Sequence, residues 1–164
     1  MEIRPATAGD VPSLLQIYNH YVEHTHITFD LEPVSLAARM AWFEGFDASG
    51  PHRLFVACEE DDVIGYASSG VFRKKPAYAR SVETSVYLAH DRVGRGAGKA
   101  LYLHLFDVLA KEPEAHRAYG GVALPNDASI ALHLRCGFEE TATFSEVGFK
   151  FGQYWDVTWY ERAL

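Results

Sequence analysis

At 164 residues, with 48% apolar and 23% charged side chains, the chain has the size and make-up of one globular domain. Lys and Arg total 15 against 22 Asp and Glu, a formal charge of −7, which argues against general binding to nucleic acid or anionic membrane. No apolar run approaches a membrane span, no signal-peptide pattern opens the chain, and two cysteines are too few for a disulfide framework. The expected setting is therefore reduced and cytoplasmic.

Ile3 to Ala6 reads as a short first strand. Thr7 with Asp10 is a capping signal for a helix running to about Val22, with Leu14, Ile17, Tyr18 and Tyr21 on one face. An irregular polar-aromatic loop, Thr25 to Pro33, follows; loops of this kind often carry specificity. Ser35 then caps a second helix, expected to reach Phe46. Leu54–Cys58 and Val63–Ala67 form a hairpin about a turn at Asp61-Asp62. Proline places Arg73-Lys74-Lys75-Pro76-Ala77-Tyr78 in a loop. His20, His24 and His26 have a spacing that raises the question of a metal, but without Cys or a carboxylate pair a solvated helix face is the better reading.

The central stretch runs from Val82 to Lys111. Val82, Thr84, Val86 and Leu88 alternate with Glu83, Ser85 and Tyr87, the period of a strand. Leu101, Tyr102, Leu105, Phe106 and Leu109 recur at helical spacing. Between them lies Arg92-Val93-Gly94-Arg95-Gly96-Ala97-Gly98-Lys99, with alternate glycines that let backbone N–H groups approach an anion at a helix N-terminus. The dinucleotide spacing G-x-G-x-x-G fails in both frames, and a P-loop fails at Val93 and Ala100. A plain glycine turn is the competing reading, set against Arg92, Arg95 and Lys99 gathered in an acidic protein.

Beyond it, Val122–Leu124 reads as a buried strand and Ala128–Arg135 as a helix closed by Gly137. Two strands, about Thr141–Glu146 and Trp155–Tyr160, are joined through Gly148–Gly152. The order βααβββαβαββ predicts one mixed sheet with helices on both faces.

The elbow resembles motif A of the GNAT acetyltransferases, Q/R-x-x-G-x-G/A, with Gly96 and Gly98 at its glycines and Val93 where Gln or Arg is usual. Asn126 to Phe138 resembles the family's N-x-x-A/S-x-x-L-Y-x-x-x-G-F, with His133 at the tyrosine position. Thr28-Phe29, Val82–Tyr87, Leu101–His104, Leu124–Asp127 and Gly148–Val157 together resemble the phosphinothricin acetyltransferases and the related methionine sulfoximine and sulfone enzymes.

The resemblance implies a GNAT fold over residues 1–164, acetyl-CoA as co-substrate, no metal, a homodimer and a small amino-acid-like substrate. It implies a cofactor site at Val86, Tyr87, Leu88, Gly94, Arg95, Gly96, Ala97, Gly98, Lys99, Asn126 and Ser129. Glu83 takes the place of the proposed general base and His133 that of the thiolate's proton donor. Phe29, Arg73, Lys75, Tyr78 and Glu83 are the implied substrate contacts, with Arg73 and Lys75 expected to clamp a carboxylate. The chemistry asks for a base, since an ammonium of pKa about 9–10 must lose a proton at a cost of roughly 3–4 kcal/mol at pH 7. A glutamate needs burial or a water relay to serve. Bulky side chains at Gly96 or Gly98 are expected to fill the place of the pyrophosphate. A GNAT acting on another amine, such as a protein N-terminus or polyamine, and a CoA-binding sensor without turnover are the alternatives.

Overall fold

The computed structural model describes all 164 residues. Its elements are β1 (Glu2–Pro5), α1 (Val11–His24), α2 (Leu36–Phe43), β2 (Arg53–Glu59), β3 (Asp62–Val71), β4 (Ser81–Leu88), α3 (Ala97–Leu109), β5 (Arg117–Ala123), α4 (Asp127–Arg135), β6 (Glu139–Lys150) and β7 (Gln153–Ala163). The element order is the one expected. The strands form one sheet ordered β1-β2-β3-β4-β5-β7-β6, antiparallel except at the β4–β5 junction.

Both faces of this sheet are covered, and β2 shows how a sequence does that. Its run Leu54-Phe55-Val56-Ala57-Cys58 is apolar at every position, as a strand buried on two sides must be. Phe55 and Ala57 join the cluster built on α3, with Leu101, Tyr102, Leu105, Phe106 and Leu109. Leu54, Val56 and Cys58 join the opposite cluster, with Leu14 and Ile17 of α1 and Tyr66 of β3. Each Leu, Ile, Val or Phe among them stabilises the fold by roughly 1.5–3 kcal/mol when fully buried. At the entrance to α1 the capping signal is realised: Asp10 accepts from the Thr7 backbone N–H at 2.7 Å and binds Arg4 through two hydrogen bonds of 2.8 Å.

Several boundaries differ from expectation, each for a local reason. Helix α2 stops at Phe43; Gly45 N–H and Phe46 N–H turn to the carbonyls of Trp42 and Phe43, tightening the last turn. The first hairpin turns at Glu60-Asp61, with Glu60 at φ 54°. Strand β5 starts at Arg117, five residues before Val122, because its glycines are strand residues making room for large neighbours. A Cβ on Gly120 would lie 2.6 Å from His133 Nε2, and one on Gly121 would lie 3.2 Å from the Trp159 ring. The last hairpin is longer than expected too: only Phe151-Gly152 turn, both at positive φ (53° and 75°), the geometry of a two-residue hairpin turn. Gly148, expected in that connection, lies in β6 beneath the Phe29 ring.

The junction that matters is β4 with β5. Parallel pairing holds only for Ser81, Val82 and Glu83 against Arg117, Ala118 and Tyr119. Beyond Glu83 the strands part, leaving the β4 backbone from Thr84 to Leu88 without a strand partner on that side.

Candidate active site

The parted strands open a slot lined by Thr84, Ser85, Val86 and Tyr87 from β4 and by Gly121, Val122 and Ala123 from β5. At its end lie Asn126, Ser129 and His133 of the α4 segment and Tyr102 of α3. Asn126 caps α4 by accepting the Ser129 N–H at 3.1 Å, which fixes this segment against the slot.

On one side the slot runs into a groove of about 540 Å³ lined by Val86, Tyr87 and Leu88, by Val93, Gly94, Gly96, Gly98 and Lys99, and by Asn126, Ser129 and Arg135. Gly94 and Gly96 are left-handed, at φ 79° and 88°, and an added Cβ on either would meet no atom within 4 Å. Gly96 is the N-cap of α3 and supplies no side chain to it, so the first N–H groups of the helix remain free, with the positive dipole end behind them. That is a built anion cradle. The pyrophosphate of a CoA thioester fits it, with Lys99 and Arg135 as the flanking cations.

On the other side the slot opens into a cavity of about 670 Å³ between the 25–33 loop, α2 and the sheet. Glu83, Ser85 and Tyr87 present the same face of β4 to it, joined by Arg73, Phe29, Tyr18 and Arg39. Glu83 is open to the cavity, yet the surrounding protein pushes its carboxyl pKa up, with Arg73 opposing the shift. The loop is tied from beneath. Lys150, 3% exposed, donates to the Thr28 carbonyl at 2.8 Å, and burial lowers its pKa. Tyr18 donates to Asp30 at 2.6 Å and accepts from Thr28.

A family model described as "Acetyltransferase (GNAT) domain" matches residues 3–159. The chain belongs to the GNAT acetyltransferases. It is 51% identical to phosphinothricin N-acetyltransferase of Streptomyces coelicolor, over 100% of this chain and 96% of that protein. It is 36% identical to an L-methionine sulfoximine/L-methionine sulfone acetyltransferase of Pseudomonas paraeruginosa, over 99% and 94%. Among solved structures, a phosphinothricin acetyltransferase from Sinorhizobium meliloti in complex with acetyl-CoA superimposes with a TM-score of 0.92 at 32% identity, covering 99% of this chain and 88% of that one.

In this GNAT chain the expected residues fall into two groups. Val86, Tyr87, Leu88, Gly94, Gly96, Gly98, Lys99, Asn126 and Ser129 line the groove; Phe29, Arg73 and Glu83 line the cavity. Four residues lie apart. Ala97, the first residue of α3, is packed in the core, and Arg95 points to solvent without lining the groove. Lys75 and Tyr78 lie on the exposed loop outside the cavity lining, Tyr78 touching Phe72 edge-on at 6.3 Å between ring centres. Arg92, grouped with the elbow's cations, instead pairs with Glu59 at 3.0 Å. The three histidines separate as well: His20 stacks on His90 with His24 beside it, whereas His26 stacks on Trp155.

His133 is where the geometry is most specific. Its Nδ1 lies 2.8 Å from the Ser129 carbonyl, which can only accept, so Nδ1 carries the proton. Burial lowers the ring's pKa and keeps it neutral. Nε2 therefore presents a lone pair, and Tyr102 Oη, 3.4 Å away, is placed to donate to it. Tyr102 is buried and burial raises its pKa, so its proton is firmly held. Tyr102, Tyr21, Arg135 and Arg39 are site residues that the motifs did not mark. Tyr102 and Tyr21 read as apolar-face positions of helices, and Arg135 as a helix-end cation.

Proposed function

We propose that this GNAT protein transfers the acetyl group of acetyl-CoA directly to the α-amine of a small amino-acid-like substrate of the phosphinothricin, methionine sulfoximine or methionine sulfone type. One observation carries the reading: the gap between β4 and β5 joins an anion cradle on one side to a cavity holding Glu83 on the other. Names of relatives at 51% and 36% identity supply the substrate class.

Bound acetyl-CoA supplies the acetyl thioester. The unpaired N–H groups of β4 polarise its carbonyl from the slot wall. Glu83, its pKa raised by its surroundings, accepts the amine proton directly or through one water. Arg73 is placed beside Glu83, where a guanidinium holds the α-carboxylate next to the reacting amine. His133 and Tyr102 act on the departing thiolate as a pair, because His133 Nε2 has no proton of its own to give in this tautomer. The whole of residues 1–164 forms the catalytic domain in this reading. It acts in the cytoplasm as a homodimer; the dimer is supported by Phe149, Phe151 and Tyr154, large apolar side chains left exposed on the β6–β7 hairpin outside the cavity lining.

His133→Phe is expected to lower kcat by less than about tenfold, since an alkyl thiolate leaves tolerably without being protonated first. Stopped-flow thiol release checks this, and a loss beyond about a hundredfold would make proton donation obligatory. The reading as a whole is tested with acetyl-CoA and a panel of amines, measuring thiol release and the mass of N-acetyl products. Phosphinothricin, methionine sulfoximine and methionine sulfone are expected as substrates, and their carboxamides as poor ones. Preferred acetylation of a peptide N-terminus or spermidine would replace the substrate class; thiol release with none of them would leave a CoA-binding sensor.

A further inference from the structure

Arg39 is a buried cation without a carboxylate. The residue is 5% exposed and lines the same cavity as Glu83. Its Nη2 donates to Tyr66 Oη at 2.7 Å, while Nε, fully enclosed, has no acceptor. It takes part in none of the chain's ion pairs. The guanidinium carbon lies 3.5 Å from the centre of the Trp42 ring and 4.8 Å from that of Tyr18, so aromatic faces hold it in place. Those faces accept no hydrogen bond in the guanidinium plane. Asp30, the other carboxylate lining the cavity besides Glu83, is committed to the Tyr18 hydroxyl.

A guanidinium stripped of water and left with donors unused is costly unless an acceptor arrives. The only open direction is the cavity. Its position there is informative. Tyr66 pairs with Tyr87 across β3 and β4, whereas Gly70 pairs with Glu83, so Arg39 and Glu83 stand at opposite ends of the cavity. Four residues of strand separate the two ends, about 13 Å along the backbone. A substrate whose amine faces Glu83 and whose carboxylate faces Arg73 turns its side chain towards Arg39.

We propose that Arg39 is a specificity-determining residue that binds the oxygen-bearing end of the substrate's side chain, a sulfonyl, sulfoximine or phosphinate group. This rests on the reading of the cavity as an amino-acid site. An oxygen there gives an acceptor to the guanidinium edge that faces the cavity, Nε staying enclosed, and a thioether or alkyl end gives it none. The site thereby selects methionine sulfone over methionine, two substrates identical at the α-carbon.

The test compares these two substrates on wild-type protein, Arg39→Met and Arg39→Lys, with cooperative melting as the check of fold. Arg39→Lys keeps a cation but loses the planar fork, and serves also where Arg39→Met does not fold. The expected result is a loss in kcat/KM at least tenfold greater for methionine sulfone than for methionine, carried mainly by KM, with Arg39→Lys intermediate. Stabilisation of the protein by methionine sulfone without acetyl-CoA is expected to shrink in the same order. Equal losses on both substrates would overturn the contact while leaving the transferase reading standing. Wild-type protein that is stabilised by methionine sulfone, lost in Arg39→Met, but acetylates neither amino acid would support the contact and defeat the transferase reading.

Discussion

Replacing Glu83 by Gln is expected to lower kcat by about a hundredfold at pH 7, the lower end of what a general base contributes. The substitution keeps the side chain's size and hydrogen-bonding ability and removes only the capacity to take a proton. The sign of the pH effect follows from the structure. Surrounding protein raises the Glu83 pKa from its ordinary value, so the wild-type rate should fall as pH drops through that raised pKa. In Glu83→Gln this acidic limb disappears. The rise with pH that reflects free amine persists, and the gap between the two enzymes narrows towards the amine's own pKa. Initial rates at saturating acetyl-CoA, followed from acid pH up to the amine's own pKa of about 9–10, would show it. A Gln variant that tracks the wild type throughout removes Glu83 from the role.

Glu83 was legible because its neighbours were: a strand, an elbow and a helix are contiguous, and their pattern is local. The same holds for Asn126 to Phe138, where one helix carries its own cap, its inward-facing His133 and its closing Gly137. What the sequence hid was whatever depends on residues far apart. Arg39 sits in the run Leu36-Ala37-Ala38-Arg39-Met40, where an arginine ordinarily faces water; only Trp42 and Tyr66 closing over it make it buried. Gly120 and Gly121 fell outside the strand expected from Val122, because glycine weakens a strand. Their reason lies in His133 and Trp159, 13 and 38 residues on in the chain. Lys75 shows the converse. Three adjacent cations before β4 suggested a clamp of two, and the structure turns only Arg73 into the cavity.

The elbow glycines separate in the same way, and with them the second large effect. Gly96→Val is expected to raise the KM for acetyl-CoA roughly thirtyfold or more, while Gly98→Ala should act through packing. Gly98 was expected to keep the pyrophosphate's place clear. Its added Cβ would instead lie 3.4 Å from Leu132 Cδ2 and 3.5 Å from Leu88 Cδ1, facing α4 and the end of β4. Those are ordinary van der Waals contacts, so alanine packs into a junction of the fold and leaves the N–H groups where they are. Gly96 differs. At φ 88° with open space around its Cα, it can take a side chain sterically but not conformationally, since a β-branched residue there is strained by about 1–2 kcal/mol. The backbone relieves this by rotating, which turns the first N–H groups of α3 away from the anion and loses charge-assisted hydrogen bonds as well. Together about 2 kcal/mol or more corresponds to the stated change in KM. Titration calorimetry with CoA separates the two variants: Gly96→Val should bind weakly at a nearly unchanged melting temperature, and Gly98→Ala should do the reverse. Full CoA affinity in Gly96→Val would place the phosphates elsewhere than this elbow.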